Sequence, residues 1–222
     1  MRGLFVTGTD TGVGKTEVAV ALLGGHRARG VDVAGMKPAE SGTPPGAASD
    51  AERLRAAAGG TDDPALVCPY RFAAPLAPAV AARLEGREVS FERVLECARE
   101  LARRHAALLV EGAGGLLTPL TERHGYADLA RALGLPVLVV ARAGLGTVNH
   151  AALTCEALRA RGIEVAGVVL NRATAASDPS EAHNAAEIER LTGARVLASL
   201  PFVGGAVARE RALREALAKV QF

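Results

Sequence analysis

Leu4-Phe5-Val6 runs directly into Thr7-Gly8-Thr9-Asp10-Thr11-Gly12-Val13-Gly14-Lys15-Thr16, and Glu17-Val18-Ala19-Val20-Ala21-Leu22-Leu23 follows at once. An apolar triplet, a glycine-rich turn and a helix-forming run, in that order, read as strand, phosphate loop and helix. Backbone N–H groups of such a loop and the positive end of the helix cradle anionic phosphates. Lys15 would then reach the β- and γ-phosphates, and the Thr16 hydroxyl would face Mg²⁺. Thr9 stands where the strict phosphate-loop pattern has its first glycine, so the strand–loop–helix context carries the reading.

Outward from this loop, short apolar runs recur at 4–6, 33–36, 108–110, 137–141, 165–170 and 196–200. They do not alternate with polar residues, so they read as strands buried on both faces. Helical patterns occupy 15–29, 50–58, 91–105, 126–133, 148–161, 182–191 and 209–220. Strands alternating with helices predict an α/β fold: a predominantly parallel sheet with helices on both faces, and ligands gathered at the carboxyl ends of the strands. Two stretches rich in Gly or Pro, 38–49 and 62–78, read as loops over that site.

With 222 residues the chain has the length of one large domain, expected to span 1–222 and to bury about 70% of its extended-chain surface. Hydrophobic residues at 49% and charged residues at 23% exclude a disordered chain, and no apolar run approaches the ~18 residues of a membrane span. The opening residues have too short an apolar part for a signal peptide, so a cytoplasmic protein is expected. Cys68, Cys97 and Cys155 lack paired metal-ligand spacing and read as reduced core thiols. A net charge of +2 requires neither a nucleic-acid nor a membrane partner.

Only Lys15, Lys37 and Lys219 are lysine, against 23 arginines. Lys15 falls in the phosphate loop and Lys37 at the end of an expected strand, which a parallel sheet brings to the same face; a compact ammonium rather than a planar guanidinium suits both places. Lys37 opens Lys37-Pro38-Ala39-Glu40-Ser41-Gly42 after the strand at 33–36. Glu111 follows Leu108-Leu109-Val110 and precedes Gly112-Ala113-Gly114-Gly115, read as a loop, so its carboxylate is a candidate cation ligand. Asp50 has two readings: a second such ligand, or a helix-dipole residue within the capping box Ser49-Asp50-Ala51-Glu52.

These segments, with Leu145-Gly146-Thr147-Val148-Asn149-His150, together resemble the dethiobiotin synthetases, P-loop enzymes of biotin biosynthesis. The resemblance spans most of the chain. It implies a ligase acting as a homodimer on ATP, CO₂ and 7,8-diaminononanoate with Mg²⁺. One amine takes up CO₂ as a carbamate, the γ-phosphoryl group passes to it, and the second amine closes the ureido ring. Carried over residue by residue, it places Lys15, Lys37 and Thr11 at the chemistry and assigns Mg²⁺ to Thr16, Asp50 and Glu111. ATP contacts fall on the loop from Gly12, Val13 and Gly14 through Lys15, Thr16 and Glu17. Asp50, Glu111, Asn171 and the backbone of Pro201, Phe202 and Val203 complete the nucleotide site, Asn171 reading adenine. Substrate contacts fall on Thr11, Lys37, Ser41, Thr147, Val148 and Asn149, the last three at a helix start near the dimer interface. Asn149 also reads as a helix cap, and His150 as a packed interface residue. Gly12 stands where some members carry glutamate. Counting from Pro201 to the family's ribose-binding carboxylate lands on Ala208, with Glu210 two residues on.

Three other classes share parts of this pattern. Partitioning-type switch ATPases carry an extra lysine five residues before the loop lysine, where this chain has Asp10. Amidotransferases related to cobyrinate synthases add a glutaminase domain, and no cysteine here lies in a nucleophile-elbow context. A nucleoside kinase would explain the phosphate loop but not the Lys37 and Glu111 segments.

Overall fold

Odd and even residues of each central strand enter two different apolar layers. In β1 (Gly3–Gly8), Phe5 joins one layer while Leu4 and Val6 join the other; in β5 (Ala107–Gly115), Leu108 and Val110 oppose Ala107 and Leu109. Side chains alternate across a strand, so a run apolar at every position needs cover on both faces. The computed structural model, which describes residues 1–43 and 48–222, supplies that cover. A six-stranded sheet has the order β2-β5-β1-β6-β7-β8, with β2 (Val33–Met36), β6 (Val137–Arg142), β7 (Val165–Asn171) and β8 (Val196–Leu200), all neighbours parallel.

One face packs against α1 (Lys15–Ala28), α2 (Asp50–Ala58) and α9 (Ala206–Ala216) through Leu22, Leu23, Leu54 and Leu213. The other packs against α5 (Phe91–Arg104), α6 (Tyr126–Leu133), α7 (Thr147–Arg159) and α8 (Glu181–Thr192). Helix α5 shows the geometry plainly: Val94, Cys97, Ala98 and Leu101 form its buried stripe. Each fully buried leucine in these layers contributes roughly 1.5–3 kcal/mol of transfer free energy. Cys68, Cys97 and Cys155 are free and buried. Among the described residues no helix is long and apolar enough to cross a membrane.

Several expectations need correction. The stretch 112–115 is not a loop: β5 continues through it, Val6 pairing with Glu111 and Gly8 with Gly115 across a register shift. Small residues and the irregularity hid a strand that the apolar pattern ends at 110. The stretches 38–49 and 62–78 contain structure. Ala39–Ser41 (β3) and Tyr70–Phe72 (β4) form a separate parallel pair, and α3 (Pro64–Val67) starts on an Asp63 cap; of the first stretch, 44–47 lie outside the described residues. Helix α4 (Pro78–Leu84) begins on a proline in its first turn, a start signal read as loop punctuation. Helix α9 is displaced from 209–220: it ends at Ala216, freeing Val220 and Phe222 to pack on the core, the Phe222 ring 4.1 Å from that of His26. Finally, β8 is an edge strand and is only partly buried.

At the amino end of the sheet, His105 joins three segments. Its Nδ1 lies 2.7 Å from Asp32 Oδ1 and its Nε2 3.0 Å from Asp62 Oδ1, while the Asp62 carbonyl accepts Arg55 Nε at 2.5 Å. Burial lowers the imidazole's proton affinity, but the two carboxylates outweigh it and hold the pKa above the ordinary histidine value. A group whose pKa is higher folded than unfolded stabilises the fold when protonated, and that contribution disappears as pH rises through the folded value. Urea unfolding of wild type and His105→Gln should therefore show a larger stability gap at pH 5.5 than at pH 9; an equal gap at both would mean that the histidine acts without its charge.

Candidate functional site

Parallel strands deliver their carboxyl ends to one edge of the sheet, and the residues singled out from the sequence converge there. After β1 the chain turns through Gly12 (φ 72°) and Gly14 (φ 96°), left-handed conformations that glycine adopts freely. At Gly14 there is a second reason: an added Cβ would lie 2.1 Å from Asn171 Nδ2. Asn171, at the end of β7, donates from that nitrogen to the Val13 carbonyl at 2.9 Å and so supports the loop from beneath.

Lys37, just beyond β2, is buried, and its Nζ donates to Glu111 Oε1 at 2.5 Å and to Asp50 Oδ2 at 3.1 Å. Burial disfavours its charge, but Glu111 and Asp50 outweigh that and raise its pKa above the ordinary lysine value. Burial likewise pushes the Asp50 carboxyl upward; the neighbouring Lys37, the Thr16 hydroxyl and Arg53 reverse the effect and leave it below its ordinary value. Both readings of Asp50 therefore hold in part. It is the first residue of α2, and the Ser49–Glu52 capping box is formed, yet its carboxylate points at Lys37.

Lys15 is different. Its Nζ donates to the Asp10 carbonyl at 2.9 Å and, among the described residues, forms no ion pair; burial together with Lys37 pushes its pKa down to about 8. A buried ammonium facing a second ammonium, with a single carbonyl partner, forms a site short of an anion.

Glu111 is fully buried; Thr16 Oγ1 donates to its Oε1 at 2.8 Å, while its Oε2 has no hydrogen-bond partner. Among the described residues no three His, Cys, Asp or Glu side chains gather to hold a metal by themselves. Mg²⁺, however, commonly takes one or two carboxylates and completes its shell with water and phosphate oxygens. The orphaned Glu111 oxygen, Asp50 and the Thr16 hydroxyl fit that requirement.

Two cavities meet at the loop. The first, about 680 Å³, is lined by Thr11, Lys15, Thr16, Lys37, Ser41, Asp50 and Glu111. Its outer wall comes from 75–78, where the Leu76 carbonyl accepts Ser41 Oγ at 2.7 Å, so the second Pro-rich stretch does border the site. The other cavity, about 780 Å³, lies towards Asn171, whose Oδ1 is buried and without a partner, and reaches Glu210 on α9.

Not every expected residue arrives. Pro201, Phe202 and Val203 lie between β8 and α9 and line neither cavity. Thr147, Val148 and Asn149 form the first turn of α7, also away from both; Thr147 is buried with its hydroxyl unpartnered and Asn149 is exposed. Sequence reasoning missed Glu40 and Arg53, which line the first cavity, although Glu40 sits inside a motif it quoted. It also missed the supports of the turn before α7: Asn184 Nδ2 donates to the Ala143 carbonyl at 2.7 Å, and Asp178 Oδ2 accepts the Leu145 N–H at 2.9 Å. Asn184 is one of only three asparagines in the chain, with Asn149 and Asn171, and that rarity was the available signal for the first. Asp10 is tied to the end of β6 by Arg142 Nη2 at 2.9 Å.

A family model described as an AAA domain matches residues 2–209. The ATP-dependent dethiobiotin synthetase BioD of Anaeromyxobacter dehalogenans strain 2CP-C is 66% identical over the full length of both chains. That of Bacillus cereus strain G9842 is 41% identical over 97% of this chain and 90% of its own. Among solved structures, the MinC:MinD cell division complex of Aquifex aeolicus superposes with a TM-score of 0.60 at 14% identity, covering 98% of this chain and 93% of that one. A ParA family ATPase from Chlorobium tepidum gives 0.55 at 16% identity, covering 97% and 91%. At such identities these two share the P-loop α/β fold and nothing more is carried from them. Full-length identity to the biotin enzymes decides the matter, and the chain belongs to the ATP-dependent dethiobiotin synthetases, ATP-dependent ligases of biotin biosynthesis.

Proposed function

We propose that this ligase carboxylates 7,8-diaminononanoate and closes its ureido ring at the first cavity, as a cytoplasmic homodimer. One observation carries the reading: two buried ammonium groups, only one of them neutralised by carboxylates, border a cavity that also presents Thr11 and Ser41. Two anions have to meet in the reaction, a carbamate and the γ-phosphate, and fixed positive charge lowers the barrier to that encounter.

An amine nitrogen attacks the carbon of CO₂ and loses a proton, giving the carbamate. A carbamate oxygen attacks the γ-phosphorus, the bond to the β-phosphate oxygen breaks, and ADP leaves. The second amine then attacks the carbonyl carbon of the mixed anhydride; the carbon–oxygen bond to phosphate breaks, phosphate departs, and the five-membered ring is closed with loss of a further proton. Lys15 neutralises the β- and γ-phosphates, Lys37 holds the transferring oxygens, and Thr11 and Ser41 position the amine and carbamate end. Thr16, Asp50 and Glu111 would hold Mg²⁺, which would spread the charge of the phosphates when bound. Gly12, Val13, Gly14 and Glu17 border the phosphates, Asn171 meets adenine through its unpartnered oxygen, and Pro201, Phe202 and Val203 close on the base. Thr147, Val148 and Asn149, remote from the cavity of their own chain, serve the partner's site, where the N–H groups at the start of α7 hold the substrate's carboxylate.

ADP release should require both the diamine and CO₂, because transfer needs a carbamate to accept the phosphoryl group. Brisk hydrolysis without diamine, stimulated by DNA or a membrane, would instead place the chain with the switch ATPases. Lys37→Arg should bind ATP nearly as wild type does while turnover falls about 10²-fold, roughly 3 kcal/mol of transition-state stabilisation, because a planar head cannot occupy the same buried point. Lys219→Arg, an exposed change beyond α9, serves as the unaffected control. Sharing of sites is tested by mixing Lys37→Ala and Asn149→Ala chains: a mixed dimer has one intact site, so activity should return on subunit exchange, whereas verified exchange without recovery would refute the shared site.

A further inference from the structure

Arg53 is the one cationic side chain that lines both cavities among the described residues. With Glu17, Gly12 and Gly14 it lines both cavities, so a nucleotide laid from Lys15 to Asn171 passes it. It lies three residues after Asp50 on α2, on the same helical face, and one turn of backbone carries it from the Lys37 cluster to the start of α1. Glu17, next to Thr16, receives Arg53 Nη2 on its Oε1 at 2.7 Å.

The geometry points to Arg53 as a phosphate-contacting residue that exchanges Glu17 for the polyphosphate of bound ATP; this rests on the nucleotide placement given above. The charges lining the first cavity favour the exchange. Lys37 is paired with Glu111 and Asp50 and is assigned to the transferring oxygens, so Lys15 and Arg53 are the lining cations left for the rest of the polyphosphate. The Arg53–Glu17 pair is about one-third exposed on each side, and such a pair holds its partners weakly. A guanidinium meets phosphate oxygens through two parallel N–H bonds, a stronger arrangement than the single contact it leaves. Glu17 is not stranded by the change. Its Oε2 lies 3.9 Å from Arg209 Nε on α9, a buried donor without a hydrogen-bond partner, so the carboxylate has a second cation within reach.

A double-mutant cycle on ATP affinity separates contact from mere neutralisation of Glu17. Equilibrium binding of MgATP and of adenosine is measured for wild type, Arg53→Ala, Glu17→Gln and the double variant. If Arg53 touches phosphate, its loss weakens MgATP about 10-fold or more in both the wild-type and Glu17→Gln backgrounds, with adenosine unchanged. Disappearance of the penalty in the Glu17→Gln background, or an equal penalty on adenosine, would overturn the proposal. Lys15→Ala is the control for the placement itself. If it abolishes MgATP binding while Arg53→Ala does nothing, the Arg53 role alone fails; if MgATP binds Lys15→Ala undiminished, the placement of the nucleotide fails with it.

Discussion

The ammonium of Lys37, buried between Glu111 and Asp50, fixes the relation of three distant parts of the chain. It brings together the end of β2, the middle of β5 and the first residue of α2, at 2.5 and 3.1 Å from the two carboxylates. Breaking the fully buried Lys37–Glu111 pair costs about 3–5 kcal/mol, which ties β2 to β5, while the half-exposed Asp50 adds a weaker tie to α2. The same contact sets the chemistry. Lys37 has its counter-charges in direct contact, whereas Lys15, the first residue of α1, forms no ion pair among the described residues and draws only longer-range support from Glu111, Asp50 and Asp10.

Topology makes that arrangement possible. In the order β2-β5-β1-β6-β7-β8, β1 lies between β5 and β6, so the phosphate loop emerges with Glu111 on one side and Arg142 on the other. Asn171 follows one strand further along, and its amide nitrogen both holds the Val13 carbonyl and forbids a side chain at Gly14. Neighbours on the sheet thereby preorganise the loop together with its own Gly12 and Gly14, and Thr9 is held by its N–H, which donates to the Val140 carbonyl at 2.9 Å.

How far the sequence could be read follows from the same physics. Both-face burial turns the central strands β1, β5, β6 and β7 into unbroken apolar runs that the sequence shows directly; the runs at 33–36 and 196–200, although at the two edges of the sheet, agree with the structure to the residue, as do helices 50–58 and 126–133. The pairing of Ala39–Ser41 with Tyr70–Phe72 left no such trace, because each strand has three residues and its partner lies far off in sequence. The extension of β5 through Gly112 and Gly115 was hidden by glycines, the first packed under the rings of Phe5 and Tyr126 and the second beside the backbone of Gly8 and Thr9. Lys15, Lys37 and Glu111 were legible as charges beside apolar strands and glycine-rich segments, whereas Asp50 stayed double in meaning because an acidic residue is ordinary in the first turn of a helix. Arg53 was not legible: on a surface rich in arginine, its meaning depends on which face of α2 meets α1, and only packing decides that.

Arginine has replaced lysine almost everywhere in this chain, and the exceptions can be weighed against their surroundings. Among the described residues every other ion pair on a non-histidine cation uses arginine, and most of those side chains, such as Arg83, Arg103, Arg190 and Arg211, have room at the surface to spread a planar head. Lys37 and Lys15 are only 4% and 7% exposed. Around Lys15 the space is so restricted that a Cβ on Gly8 would stand 2.9 Å from its Nζ. A guanidinium there would need a larger cavity and would lose the point-like charge that the phosphates must meet. Steric confinement and electrostatic need therefore act on the same two atoms, and each alone would keep an ammonium in place against the bias of the composition.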